Sequence, residues 1–235
     1  MKFTLAFTTY NSYQYIEQQL DKDYFIMSEG LIDEIVIQDD FSDDFTKLKS
    51  KETKFIKVYQ NPKRLLPLLS RPELLKNCKN EWVLLMDSDN FLTTKSFNFL
   101  KTLAPESGVI YMPGFAEPDF NFRSQYPDTF IDLKLAANKV GQPGVNWMNV
   151  LLNTGNYLVP KTEYLEVAKS IDSTLPVCPC EVLYFNYLWL KAGKKFFCKS
   201  DYEYFHTQRS DSFYRTYCAD TRLPDSIYEL YYSHK

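Results

Sequence analysis

The stretch Trp82-Val83-Leu84-Leu85-Met86-Asp87-Ser88-Asp89 sets five apolar residues in a row against two carboxylates parted by one serine. A run this short and this uniformly apolar suits a strand buried on both faces. The acids that follow then stand at the strand's carboxyl end, where open parallel sheets bind ligands because loops from several strands converge. Two carboxylates two residues apart in a tight turn can converge on one hard divalent cation. Such a cation takes one or two protein carboxylates and fills its remaining sites with water and phosphate oxygens. A D-x-D triplet alone is common in surface turns, so the buried strand before it carries the weight.

Working outward, residues 2–8 alternate Phe3, Leu5 and Phe7 with polar or small residues and read as a strand. Asn11-Ser12 can cap a helix with Tyr13, Ile16 and Leu20 at helical spacing. Ile35-Val36-Ile37 is a second strand running into Asp39-Asp40, and Phe55–Tyr59 a third, stopped by Asn61-Pro62. A helix is expected after Pro72, taken as a first-turn proline, with Leu74, Leu75 and Cys78 on its apolar side. This order predicts an α/β fold with a central, mostly parallel sheet.

Beyond residue 100 five of the seven glycines fall between Gly108 and Gly155, which predicts a loop-rich half where binding surfaces sit. A last helix is expected over residues 181–192, apolar nearly all round and therefore buried, with Gly193 just past its end. The tail Tyr228-Glu229-Leu230-Tyr231-Tyr232 offers a surface for a membrane-bound acceptor or a second subunit.

The 235 residues are 45% apolar and 24% charged, enough for a real core, which excludes a disordered or fibrous chain. A net charge of −3 gives no electrostatic reason to expect nucleic acid. No apolar run approaches the roughly 18–20 residues of a membrane span, and the amino terminus lacks the pattern of a signal peptide. A cytoplasmic protein is expected, without a transmembrane segment, though peripheral membrane contact is left open. Five cysteines form an odd, scattered set that argues against a disulfide framework. Cys178, Cys180, Cys198 and His206 offer a zinc reading, but their spacing matches no common zinc module, and buried thiols are the default. The first strand leads into Thr8-Thr9-Tyr10-Asn11-Ser12 with no glycine, and no G-x-G-x-x-G occurs. Nucleotidyltransferase and dinucleotide oxidoreductase readings are therefore set aside.

Four landmarks in order resemble family-two glycosyltransferases of the GT-A fold. Thr8-Thr9-Tyr10-Asn11 is similar to their opening T-Y-N; Glu34 to Asp44 (EIVIQDDFSDD) is similar to E-I-I-V-V-D-D-G-S-T-D; Trp82 to Asp89 is similar to Y-I-L-F-L-D-S-D. Arg71 stands sixteen residues before Asp87, the family's usual separation. The resemblance covers about residues 1–95. It implies a single GT-A domain over 1–235, with a nucleotide-binding half (1–100) and an acceptor and donor-sugar half (101–235). The activity implied is metal-dependent, inverting transfer from a nucleotide-diphosphate sugar, a UDP-sugar first among them, to a glycan or lipid-linked acceptor, as in polysaccharide biosynthesis.

Residue by residue, the resemblance assigns Thr9, Asp39 and Arg71 to the nucleotide base and Asp87 to the ribose or the metal side. Asp89 becomes the ligand of a Mn2+ or Mg2+ ion, with His206 as a further ligand. Gly155 and Asn156, in a small-residue turn, would lie beside the donor sugar, and Arg209 beside the diphosphate. Glu181 heads a helix twelve residues before Gly193, as the family's catalytic helix does. Val182 replaces the usual catalytic aspartate there, which leaves Glu181 as the remaining candidate base. It also keeps alive a rival of another class, a non-catalytic nucleotide-sugar or glycan-binding protein. Bland alternatives stand beside these roles: Glu181 as a first-turn acid favoured by the helix dipole, His206 as an ordinary core or surface histidine, and Trp147 as core packing instead of a sugar platform. Phe41 in place of the family glycine could reshape the turn near the ribose; Pro72 and Asn90 are further departures.

Overall fold

A computed structural model describes residues 1–28, 30–172, 181–208 and 225–235. Its first half alternates β1 (Phe3–Thr9), α1 (Tyr13–Ser28), β2 (Ile32–Asp39), α2 (Phe45–Lys49), β3 (Ile56–Gln60), α3 (Leu66–Lys76) and β4 (Trp82–Asp87). These four strands are parallel, in spatial order β3-β2-β1-β4. β4 is buried along Trp82–Met86 and emerges only at Asp87, as its composition requires. Cutting Leu84 back to alanine at its centre would cost about 2–5 kcal/mol.

The second half continues the same sheet. It comprises β5 (Phe91–Leu92), α4 (Thr94–Thr102), β6 (Val109–Glu117), β7 (Thr129–Ile131), α5 (Leu133–Lys139), α6 (Trp147–Val150) and β8 (Leu158–Pro160). After these come α7 (Lys161–Ala168), α8 (Glu181–Lys191), β9 (Lys195–Phe205) and α9 (Asp225–Tyr232). β8 runs antiparallel between β4 and β6, and β9 lies parallel to β6 while β5 and β7 pair with it antiparallel. The sheet is thus mixed, with its longest pairings parallel, matching the expected α/β fold.

Two local expectations are corrected. The third helix begins six residues before Pro72, which lies inside it. Pro67 is the first-turn proline, and the Asp40 carboxylate accepts the backbone N–H groups of Leu65 and Leu66, each at 2.8 Å, fixing the true start. The expected loop-rich stretch contains the nine-residue β6, whose Pro113 lies at a shift in the β9 register, so one proline does not break the strand. In the tail, Ile227 and Tyr231 are buried, the Tyr231 ring meeting Tyr187 of α8 edge-on at 5.5 Å, while Tyr232 stays exposed.

α8 is buried as expected, and its one polar core residue has a task. Asn186 donates to the carbonyls of Leu151 (3.2 Å) and Leu152 (3.0 Å) and accepts from the Tyr157 hydroxyl (3.1 Å). All three partners belong to the segment leading into β8. A fully satisfied buried amide fixes geometry, and here it anchors the loop that carries Thr154, Gly155 and Asn156.

Candidate functional site

β1, β2 and β4 end side by side, and each ends on a polar residue: Thr9 stands opposite Asp39 in register, and Thr8 opposite Asp87. Thr9 and Asp39 are both buried. Asp39 Oδ2 accepts from the Ser42 backbone N–H at 2.9 Å and from Gln60 Nε2 at 3.0 Å. Among the described residues, Asp39 Oδ1 and Thr9 Oγ1 have no hydrogen-bond partner, although both are shielded from solvent. Leaving a buried polar atom unpaired costs about 1–3 kcal/mol, so two on neighbouring strand ends mark a place built to receive complementary groups.

Asp40, its neighbour, has a structural task. It accepts from Asn61 Nδ2 and from the N–H groups of Leu65 and Leu66, all at 2.8 Å, and so caps α3. α3 in turn presents Arg71, whose Nη2 donates to Asp87 Oδ1 at 3.2 Å with both groups partly shielded.

Asp87 is held from four sides. Besides Arg71, its backbone N–H donates to Asn156 Oδ1 (2.8 Å), while its Oδ2 accepts from Asn156 Nδ2 (3.1 Å) and Asn90 Nδ2 (3.3 Å). Asn156 therefore positions Asp87 directly. Gly155 beside it is required by space, because a β-carbon there would lie 2.0 Å from Arg71 Nη2. Asn90 further accepts from the Thr207 N–H at 3.2 Å, and the Thr207 hydroxyl donates to the Asp89 carbonyl. The D-x-D turn is thereby tied to the segment after β9. An aspartate at position 90 would set a second negative charge against Asp87, so the amide is the residue this arrangement suits.

One residue of the site escaped the sequence reading: Tyr204, the partner of Thr154 in the expected small-residue turn. Thr154 shares a 3.1 Å hydrogen bond with the Tyr204 hydroxyl. Burial, reinforced by the negative charges of Asp87 and Asp89, pushes the Tyr204 hydroxyl well above the ordinary phenol range. In the sequence Tyr202 and Tyr204 alternate with the acids Asp201 and Glu203, a readable signal, but nothing there joins β9 to the segment that carries Thr154.

The other expected residues fall as follows. Asp89 is half-buried in the turn after β4. His206 directly follows β9; its Nδ1 pairs with the Asp119 carboxylate, and its ring lies 5.5 Å from Phe120 and edge-on to Tyr204 at 6.4 Å. Among the described residues, no three His, Cys, Asp or Glu side chains form a group able to hold a metal. Trp147 opens α6 and packs, partly buried, on the core. Glu181 opens α8, and its side chain, like all of Arg209, Cys178 and Cys180, lies outside the described residues. The zinc reading cannot keep both Cys198 and His206 on one ion. Cys198 and His206 are eight residues apart along β9 and beyond it, roughly 25 Å at about 3.3 Å per residue.

The profile of glycosyl transferase family 2 matches residues 4–140, more than half of the chain and all of the strand ends just described. The chain belongs to glycosyltransferase family 2. Among solved structures, S. aureus TarS 1-349 in complex with UDP-GlcNAc superimposes with a TM-score of 0.65 at 20% identity, covering 98% of this chain and 64% of that one. GalNAc-T7 with UDP, GalNAc and Mn2+ gives 0.64 at 12% identity, covering 89% of this chain and 44% of that one. These likenesses establish the GT-A fold. The chain spans 60% of another structure of S. aureus TarS 1-349 and 38% of a longer TarS structure. Curated proteins give no sequence match. Against the family-two pattern, the glycine position of the D-D-G-S segment is Phe41, which adopts the left-handed backbone (φ +72°) that a glycine would accept without strain.

Proposed function

We propose that this family-two chain transfers a sugar from a UDP-sugar to a hydroxyl of a glycan or lipid-linked acceptor, inverting the anomeric centre. The observation that carries the reading is the pair of unpartnered buried oxygens, Thr9 Oγ1 and Asp39 Oδ1, side by side at the ends of β1 and β2. The edge of a uracil ring offers an N–H between two carbonyls. Asp39 Oδ1 accepts from that N–H, and the Thr9 hydroxyl donates to a neighbouring carbonyl.

Asp87, fixed by Asn156, Asn90 and Arg71, has lone pairs left to accept a ribose hydroxyl. Asp89 is a hard oxygen donor on a buried strand's end, which suits Mn2+ or Mg2+, since these ions share few protein carboxylates with diphosphate oxygens and water. A cation so held supplies Lewis-acid stabilisation of the departing diphosphate. In the reaction the acceptor oxygen bonds to the anomeric carbon as that carbon's bond to the diphosphate oxygen breaks. The acceptor proton passes to a carboxylate, which we assign to Glu181, and Arg209 adds positive charge near the diphosphate. His206 is held by Asp119, and its chain neighbour Thr207 donates to the Asp89 carbonyl; we assign His206 to the metal shell on donor binding.

The test is a panel of nucleotide sugars with Mn2+, followed by release of free UDP and by transfer. Asp89→Asn should lower turnover at least 100-fold while leaving the fold intact by circular dichroism. Wild-type turnover in that variant would remove the metal assignment. Tight UDP-sugar binding with neither hydrolysis nor transfer would favour a binding protein instead.

A further inference from the structure

Among the described residues one large aromatic side chain is both well exposed and left-handed at its backbone: Phe41, 54% exposed with φ +72°. Each property is unfavourable. A bulky residue held in the left-handed region is strained, and an exposed ring gains nothing from burial. The turn gives the backbone no alternative. The Asp40 N–H donates to the Thr9 carbonyl at 2.8 Å, the Ser42 N–H donates to Asp39 Oδ2 at 2.9 Å, and the Asn11 N–H donates to Ser42 Oγ at 2.8 Å. Phe41 is pinned between these anchors, on the loop that follows Asp39. The facing loop carries Tyr10, 38% exposed, with the Arg64 guanidinium 3.9 Å over its ring. Tyr10 directly follows Thr9, so the two loops extend the strand ends that hold the unpartnered oxygens.

We infer that Phe41 is a specificity-determining wall of the donor site, its ring packing on the nucleobase of the nucleoside diphosphate. The inference rests on the donor reading above. A planar base whose edge reaches Asp39 Oδ1 extends outward past the very next loop, and base–aromatic stacking is strong enough to offset the strain. A glycine here would relax the turn and leave that face of the base in water.

The experiment compares Phe41→Gly, Phe41→Tyr and Phe41→Leu with wild type, measuring melting temperature and calorimetric affinity for UDP and for inorganic pyrophosphate, each with Mn2+. Phe41→Gly should melt higher than wild type yet bind UDP about tenfold more weakly, with pyrophosphate affinity unchanged. Phe41→Tyr should restore UDP affinity, and Phe41→Leu, apolar but not planar, should restore little of it. A purely structural Phe41 would give the opposite sign in melting temperature. UDP affinity unchanged in Phe41→Gly, or lost equally for pyrophosphate, would overturn the inference. Wild-type protein that fails to bind UDP would instead sink the donor reading itself.

Discussion

Arg71 occupies the space in which a side chain at Gly155 would have to stand: a β-carbon added there would lie 2.0 Å from Nη2 and 2.7 Å from Cζ. The guanidinium cannot easily swing aside, because α3 buries it and Asp87 holds it at 3.2 Å. The glycine and the arginine, 84 positions apart in sequence, are therefore one structural choice. Gly155→Ala is expected to destabilise the protein by about 1–3 kcal/mol through overpacking and to weaken UDP binding by dislodging the Arg71–Asp87 pair. Urea unfolding and calorimetry would check both. An alanine variant with unaltered stability and affinity would show that Arg71 has another resting place.

Asp39 uses its two oxygens differently. Oδ2 accepts from Ser42 and Gln60, and Oδ1 is unpartnered. Asp39→Asn can keep an oxygen toward the first two donors only by turning its NH2 toward the ligand, where a donor would face the uracil N–H. UDP affinity should fall about 30-fold with little change in melting temperature, a loss matching about 2 kcal/mol for an unmet polar contact. Equal affinity in the variant would place the base elsewhere.

How much of this was readable beforehand follows from where the determinants lie. β4 announces itself because five apolar residues precede Asp87, and the four parallel strands follow from apolar runs with polar stops. The start of α3 did not show, since Asp40 caps it from twenty-five residues away and Pro72 mimics a helix start. The late half was harder still. Asn156 and Asn90 look like ordinary loop amides until Asp87 is placed between them, and Tyr204 looks like any strand tyrosine until its hydroxyl meets Thr154. Glycine-rich spacing suggested loops across β6, but pairing with β9 overrode it.

Cys78 and Cys198 are free, buried thiols, both pushed up to about 12 by burial. At pH 8 only about one molecule in ten thousand carries either thiolate, and the thiolate is the reactive form. Peptide mapping by mass spectrometry after brief iodoacetamide treatment should find both unlabelled in native protein and fully labelled in urea. Native labelling at the rate of a free thiol would mean that β9 or the end of α3 opens readily.

Asp128 and Lys199 tie the turn before β7 to β9. The Asp128 carboxylate accepts from Lys199 Nζ at 2.8 Å and from the Ser200 N–H at 3.2 Å. The Lys199 hydrogen bond, with help from Ser200, holds Asp128 below the usual carboxylate range and raises Lys199. A carboxyl group more acidic in the folded state stabilises the fold above its unfolded pKa, and that stabilisation drains away as pH falls through the folded value. Asp128 also sits at φ +43°, which asparagine tolerates, so Asp128→Asn isolates the charge from the backbone. The pair is half-exposed and water screens it, so the variant should lose only about 0.5 kcal/mol at pH 7. By pH 3 the two proteins should melt together. Melting curves at both pH values decide it, and a gap that persisted in acid would assign the effect to something other than the carboxylate's charge.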